Sequence, residues 1–347
     1  MQRKHIGLLV GATVIAVIAA AIVLFERLPE RQAERRVLLP ELAAKIDAVA
    51  AITINDGGRT LIVRQSGDGR WVAPAKANYP ADAGRVRKLA LGLATLKVIE
   101  EKTSNPELYP RLGVEDITAK DAKSRLVELQ DAAGKTVAAL LIGKRVAADR
   151  AYVRVAGAAQ SYLVAGAPEI DANLMAWLDD TLLTVEKERV KRLVVRPANG
   201  AAVAIFRDKP DDDFQVENMP KGRKLKSYGG ADVAVSSLNF LTFDDVRPAT
   251  TLGPKPTTVT VTAFDGLTVT ATVADGWVHF VAVHDAAAVE AGQGVAVMPK
   301  APADGAREAA AINARLGAWD YKLPDYKIKD LTPGLEDLLE PKPEKAK

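Results

Sequence analysis

The chain has no cysteine. That one absence removes disulfides, thiolate metal sites and a cysteine nucleophile together. Histidine occurs three times, and only His279 and His284 lie beyond the N-terminal flank. Five apart on a strand, their rings point to opposite faces, so they read as ordinary strand histidines rather than as ligands of one metal. Aromatic residues make up only 5%, which leaves a core built mainly of Ala and Val. No charge of either sign dominates: Lys and Arg number 47 against 44 Asp and Glu. A nearly neutral body argues against nucleic acid or an anionic membrane face as the main partner. There is no GxSxG, GxGxxG, HExxH or SxxK in a fitting context, so nothing nominates a nucleophile with its base. The expectation is a protein without enzymatic activity and without a cofactor.

Long apolar runs are also missing, with one exception. Residues 6–25 read IGLLVGATVIAVIAAAIVLF, 20 residues without a charge. About 20 apolar residues at 1.5 Å per residue cross a hydrocarbon core of roughly 30 Å. The run predicts a transmembrane helix whose apolar surface is Ile6, Leu8, Leu9, Val10, Val14, Ile15, Val17, Ile18, Ile22, Val23, Leu24 and Phe25. Cleavage at Ala19–Ala21 would leave a mature chain starting on Ile22–Phe25, so a retained signal-anchor is the better reading than a removed leader. Arg3 and Lys4 precede the span, while Arg27, Arg31, Arg35 and Arg36 follow it. That count alone favours a cytoplasmic body. The signal-anchor layout favours the opposite, and the expected location is a bacterial inner membrane with the large domain in the periplasm.

Beyond a neck over 26–40, alternating apolar residues and turn chemistry predict a β-rich body. Ile52 and Ile54 alternate, as do Leu61 and Val63, around Asp56-Gly57-Gly58. Asp82 caps a helix carrying Val86, Leu89, Leu93 and Leu96. Leu126–Gln130 and Val137–Ile142 form another hairpin around Ala133-Gly134, Ala151–Val155 and Ser161–Val164 are two more short strands, and Pro168 is expected to open a helix carrying Ile170, Leu174, Trp177 and Leu178. The pattern then restarts. Val190–Val195 and Val203–Arg207 form a hairpin, Phe214–Val216 a strand, and Asp232 caps a helix bearing Val235, Leu238 and Leu241. Ile52 maps to Leu193, Trp71 to Phe214, and Leu96 to Leu241, with an offset that starts near 141. The expected fold is α+β: one N-terminal span followed by two tandem β-rich repeats, each an antiparallel sheet with a packed helix. The division is a tail over 1–5, the span, the neck, a first repeat over 41–183 and a second over 184–298. A linker, short helix and docked extended segment occupy 299–339, and a disordered tail 340–347.

Several groups resemble chemistry and read better as surface. Gly134-Lys135-Thr136 ends like a phosphate-binding loop, but Leu129 stands where its first glycine belongs, and the stretch is a hairpin tip. Asp211-Asp212-Asp213 lacks the alternation and fixed glycine of a calcium loop. Glu100-Glu101 and Asp244-Asp245 diverge on strands. The best docking candidate is the loop carrying Lys221, Arg223, Lys224, Lys226 and Tyr228, suited to an acidic partner surface.

The ordered landmarks resemble the DUF4340 proteins, single-span bacterial envelope proteins. They are LLPELAAKIDAVAAITI, GRWVAPAKANYPAD, Tyr109-Pro110-Arg111-Leu112-Gly113-Val114, and Leu140-Leu141-Ile142-Gly143-Lys144 leading to Ala151-Tyr152-Val153-Arg154. Trp177-Leu178-Asp179-Asp180 and Trp-Asp-Tyr-Lys-Leu-Pro-Asp-Tyr complete the series. One departure lies at Tyr109–Gly113, where the family more often has an aromatic directly before Gly-Leu. The resemblance carries over no catalytic residue. It implies an accessory role beside ABC-type export components, with transporter subunits and membrane lipid as partners and no nucleic acid. A structural tether of the envelope is the alternative, and an envelope hydrolase with an unrecognised site the remote one.

Overall fold

The computed structural model describes residues 36–288 and 302–341. The tail over 1–5, the span over 6–25 and the neck as far as residue 35 lie outside the described residues, as do 289–301 and the last six positions. No helix among the described residues is long and apolar enough to cross a membrane. The fold is α+β, with helices beside antiparallel sheets. By contacts the chain divides into two compact units. One holds the residues up to Leu61 with Gly84–Ala172, and the other Ile62–Ala83 with Asn173 onward.

The strands of the N-terminal half are β1 (Val49–Asn55), β2 (Thr60–Gln65), β3 (Trp71–Ala73), β4 (Tyr79–Pro80), β5 (Lys97–Glu101), β6 (Arg125–Asp131), β7 (Thr136–Ala147), β8 (Arg150–Val155) and β9 (Ser161–Ala165). In the first unit they run β1-β6-β7-β8-β9-β5. The alternation in β1 buries Ile52 and Ile54 completely. Helix α1 (Ala83–Ala94) buries Val86, Leu89 and Leu93 at three- and four-residue spacing, as its sequence predicts. The helix expected from Pro168 is absent; only a 3₁₀ turn, Leu174–Trp177, forms there. Asn173 explains this locally: its side-chain oxygen accepts from the Met175 amide, capping a short turn instead of continuing a helix.

The second unit repeats the plan. Its strands are β10 (Val190–Arg196), β11 (Val203–Phe206), β12 (Gln215–Val216), β13 (Asp245–Pro248), β14 (Thr257–Ala263), β15 (Leu267–Ala274), β16 (Trp277–His284) and β17 (Trp319–Lys322). Their order includes β10-β14-β15-β16-β17-β13, which matches β1-β6-β7-β8-β9-β5 strand for strand. The β1–β6 pairing slips between Val49 and Ala51, and the β10–β14 pairing slips between Val190 and Arg192. The bulge recurs at the offset of 141 read from the sequence, as expected of one unit built twice.

Two elements differ from the expectation. Helix α2 (Ala231–Val235) is one turn continued by a 3₁₀ turn, Ser236–Leu238; Gly230 occupies its N-cap position, and Asp232 instead pairs with Lys187. The segment expected to dock from outside is β17, an internal strand between β16 and β13, with Asp320 and Tyr321 fully buried. Four residues with two consecutive buried side chains carry no period-2 signal, so nothing local in the sequence places them inside the sheet. Helix α3 (Pro302–Leu316) covers the part of β16 that β17 does not pair. There Asn313 accepts from the Ala282 amide at 2.8 Å and donates to its carbonyl at 2.7 Å, closing an open edge. Gly305 permits this approach, since a Cβ there would lie 2.1 Å from His284 Nε2.

Scarce aromatics are concentrated in the core of this unit. Tyr79 meets Trp319 edge-on at 5.0 Å, Phe243 at 5.8 Å and Tyr321 at 6.2 Å. Burial pushes the Tyr79 hydroxyl up to about 12, and it donates to the Asp179 carbonyl at 2.9 Å. Burial likewise raises Tyr321, reinforced by Tyr79 beside it.

Candidate functional site

The loop carrying Lys221 to Tyr228 is pinned by the C-terminal segment of the same unit. Arg223 forks onto Glu336 at 3.1 and 3.0 Å and donates to the Glu340 carbonyl at 2.8 Å. The Lys226 ammonium donates to the Asp337 carbonyl at 2.7 Å. Backbone bonds run from the Lys226 amide to the Leu338 carbonyl and from the Glu340 amide to the Lys224 carbonyl, each 2.9 Å. Leu225 and Leu339 form the bridge between them. Two of the four cations are therefore committed within the chain. Lys221 and Lys224 are exposed and have no ion-pair partner among the described residues. Tyr228 is 94% exposed at the end of this fixed backbone.

The same segment walls a cleft of about 820 Å³. Thr332–Asp337 form one side, the β10–β11 hairpin another, and Val216–Asn218 the third. Within it Arg192 pairs with Glu217 at 2.6 Å, while Arg196 is exposed without a partner among the described residues. Glu336 thus lines the cleft and holds Arg223 at once. Loop and cleft form one composite surface, able to take an extended ligand with an acidic group and to present an aromatic anchor. Sequence reasoning found the loop from its charge. It missed the cleft, because Leu335–Glu340 is more than 100 residues away and carries no pattern that announces its pairing.

A second cleft of about 450 Å³ lies among Asp180–Thr184, Phe240–Thr242 and Arg315. Phe240 at its mouth is 78% exposed and holds φ at 50°, a left-handed conformation unusual for an aromatic residue.

The remaining candidates have local partners. His279 Nδ1 lies 3.1 Å from the Trp319 carbonyl and 3.3 Å from Asp320 Oδ1. Asp320 is fully buried and accepts from the Thr250 amide and hydroxyl at 3.0 Å and from Arg247 at 3.4 Å. Arg247 in turn stacks on Trp277 at 4.0 Å. Asp320 Oδ1 itself has no hydrogen-bond partner, and no hydroxyl nucleophile is bonded to the His279 ring among the described residues. His284 bonds the Asp265 carbonyl at 2.9 Å. Asp265 belongs to a buried ion network with Arg189 and Glu308. Burial alone would lower Arg189, but Glu308 and Asp265 outweigh it and raise its pKa. Among the described residues no group of three or more His, Cys, Asp or Glu is placed to hold a metal. Glu100 pairs with Lys102, Glu101 with Arg36, and Asp245 with Lys76. Asp212 accepts from the Lys209 amide, and Gly134-Lys135-Thr136 sits at a hairpin tip where Asp131 accepts from the Ala133 and Lys135 amides.

Three stretches of the ordered landmark series meet at one structural node in the first unit. Arg154, 3% exposed, donates to the Val114 carbonyl at 2.8 Å, the Ala158 carbonyl at 2.9 Å and Asp116 at 2.6 Å. It stacks on Tyr109 at 4.3 Å. Lys144 donates to the Arg111 carbonyl at 2.7 Å. Gly143 lets the Leu112 carbonyl approach to within 2.4 Å of where a Cβ would stand. These residues hold the unit together rather than forming a ligand site. No curated protein and no solved structure matches the chain. The family model described as a domain of unknown function, DUF4340, matches residues 71–259, more than half of the chain, and the chain belongs to that family.

Proposed function

We propose that the protein is a non-enzymatic, membrane-anchored binding module of a membrane transport complex. The span over 6–25 holds it in the inner membrane, with the two units in the periplasm. The observation that carries this reading is the pinned loop: Tyr228 is 94% exposed on a loop fixed by six hydrogen bonds to the C-terminal segment. A large exposed aromatic on a rigid loop, with Lys221 and Lys224 beside it, is the composition of an interface anchor and loses little entropy on docking. The family resemblance supports an ABC-type transporter subunit as the partner. The apolar run of 20 residues supports the anchor.

The test is co-purification of the full chain from its native membranes in mild detergent, compared with the Lys221→Glu, Lys224→Glu, Tyr228→Ala triple variant. The expected result is a transporter subunit, identified by mass, that accompanies the wild type and is lost with the variant. Equal recovery of the same partners with both chains would remove the loop from the account. Recovery of envelope scaffold components instead would favour the structural tether.

A further inference from the structure

Helix α1 has an unusual charge distribution for so neutral a protein. From Ala83 to Ile99 there is no acidic residue and four basic ones, Arg85, Arg87, Lys88 and Lys97. The core-facing stripe is Val86, Leu89, Ala90 and Leu93. At 100° per residue Lys88 and Leu91 stand opposite that stripe and Arg87 flanks them, all three exposed. Leu91 is 46% exposed, and neither Arg87 nor Lys88 has an ion-pair partner among the described residues. The outward face therefore pairs unneutralised cations with a bare aliphatic side chain. That is the composition that binds the interface of an anionic bilayer.

The position of this helix adds a second, independent argument. The chain enters the first unit beside the helix's C-terminal end. The Leu38 amide donates to the Leu96 carbonyl at 2.8 Å, the Val98 amide donates to the Arg36 carbonyl at 2.9 Å, and Val37 bridges to Lys97. Ten residues separate Phe25, the end of the apolar run, from Arg36. Their eleven Cα–Cα steps span at most about 40 Å. Helix α1 is about 18 Å long. So short a tether lets the basic stripe reach the headgroups without unfolding the first unit.

We infer that the outward face of helix α1 is a second membrane contact, in which Arg87 and Lys88 bind anionic phospholipid headgroups while Leu91 enters the interface. This rests on the membrane-anchored reading above. It complements the neutral overall charge, which excludes the body as a whole from such binding but not a local stripe. The contact holds the first unit against the bilayer in one orientation.

The absence of cysteine makes the test clean. A single Leu91→Cys substitution in the full chain is labelled with an environment-sensitive nitrobenzoxadiazole dye. The chain is reconstituted into vesicles of phosphatidylcholine alone or with an equal part of phosphatidylglycerol. Each basic residue near an anionic leaflet strengthens local association about fivefold, so the two together are worth about 30-fold. The expected result is blue-shifted emission at least twice as intense in the anionic vesicles, abolished by Arg87→Glu with Lys88→Glu and weakened by salt. Identical emission in both lipids, with the chain floating with the vesicles, overturns the proposal and leaves the anchor reading intact. Failure of the chain to float overturns the anchor reading and this one with it. A shift that needs an added acidic protein, or that survives the charge reversal, assigns the face to something other than headgroups and also overturns the proposal.

Discussion

Gly143→Ala is the sharpest perturbation of the first unit. A Cβ at this position would stand 2.4 Å from the Leu112 carbonyl oxygen and 2.8 Å from both the Gly113 carbonyl oxygen and Val114 Cγ1. Two of the three are backbone atoms of a turn that is itself constrained, with Gly113 at φ 70°. Relief requires β7 and the turn to separate. The Lys144 bond to the Arg111 carbonyl would lengthen, and so would the Arg154 bond that holds β8 to the Val114 carbonyl of the same turn. Overpacking of this kind costs about 1–3 kcal/mol, and weakening one buried hydrogen bond adds about 1 kcal/mol. Replacing glycine returns about 0.4–1 kcal/mol by restricting the unfolded chain. The net expectation is a loss of about 1–4 kcal/mol, centred on about 2–3 kcal/mol and confined to the first unit. Hydrogen exchange read by mass spectrometry on the full chain in detergent resolves this. Peptides over β7 and β8 should exchange roughly 30–150 times faster, the factor that 2–3 kcal/mol represents. Peptides over β14–β16 should not change. Gly67→Ala is the control, because no atom lies within 4 Å of its Cβ position. Unchanged protection over β7 in Gly143→Ala would refute the close-approach argument.

Arg154→Leu should cost about 3–5 kcal/mol, since it strands the Val114 and Ala158 carbonyls and removes the stack on Tyr109; Arg154→Lys should recover less than half in the same exchange experiment, because an ammonium lacks the fork. Tyr79 is raised to about 12 from an ordinary 10, so the folded state holds its proton more tightly than the unfolded state. Stability is therefore full below pH 10 and falls as the pH rises from 10 to 12, by about 2–3 kcal/mol. Tyr79→Phe should make that alkaline limb shallower in pH-dependent urea unfolding, leaving the part that the raised Tyr321 supplies, and an unchanged limb would remove Tyr79 as a source. Phe240→Gly should leave stability unchanged or raise it by up to about 1 kcal/mol, because it releases a left-handed backbone and gives up a side chain that buries little. A loss above about 2 kcal/mol in a thermal melt would mean the ring packs more than its exposure indicates.

The duplication was legible because it rests on short-range chemistry. Hairpin turns and alternating valines fix each strand locally, and the same spacing recurs at Ile52 and Leu193. What was illegible depends on long-range pairing. β17 became an internal strand through contacts with Asp245–Pro248 and Trp277–His279, which four residues cannot announce. Helix α2 ended early because Gly230 and the 3₁₀ turn after Val235 prevailed over the apolar spacing. The basic loop stood out by charge alone, but its clamp by Glu336 and Asp337 joins distant residues. The Gly143 and Arg154 motifs resembled family landmarks without a visible reason. The structure supplies one: they pack against the same turn, Tyr109–Val114.

The central claim is that the pinned loop docks on a membrane transport subunit. Its most direct test replaces Tyr228 in the full chain with the photocrosslinker p-benzoylphenylalanine and irradiates living cells. The account predicts one discrete adduct, formed at Tyr228 and absent when the probe stands at exposed Val146 of the first unit, whose second component is a subunit of an ABC-type transporter. An adduct with no transport subunit, or no adduct at Tyr228 while the chain is intact in the membrane, would contradict it.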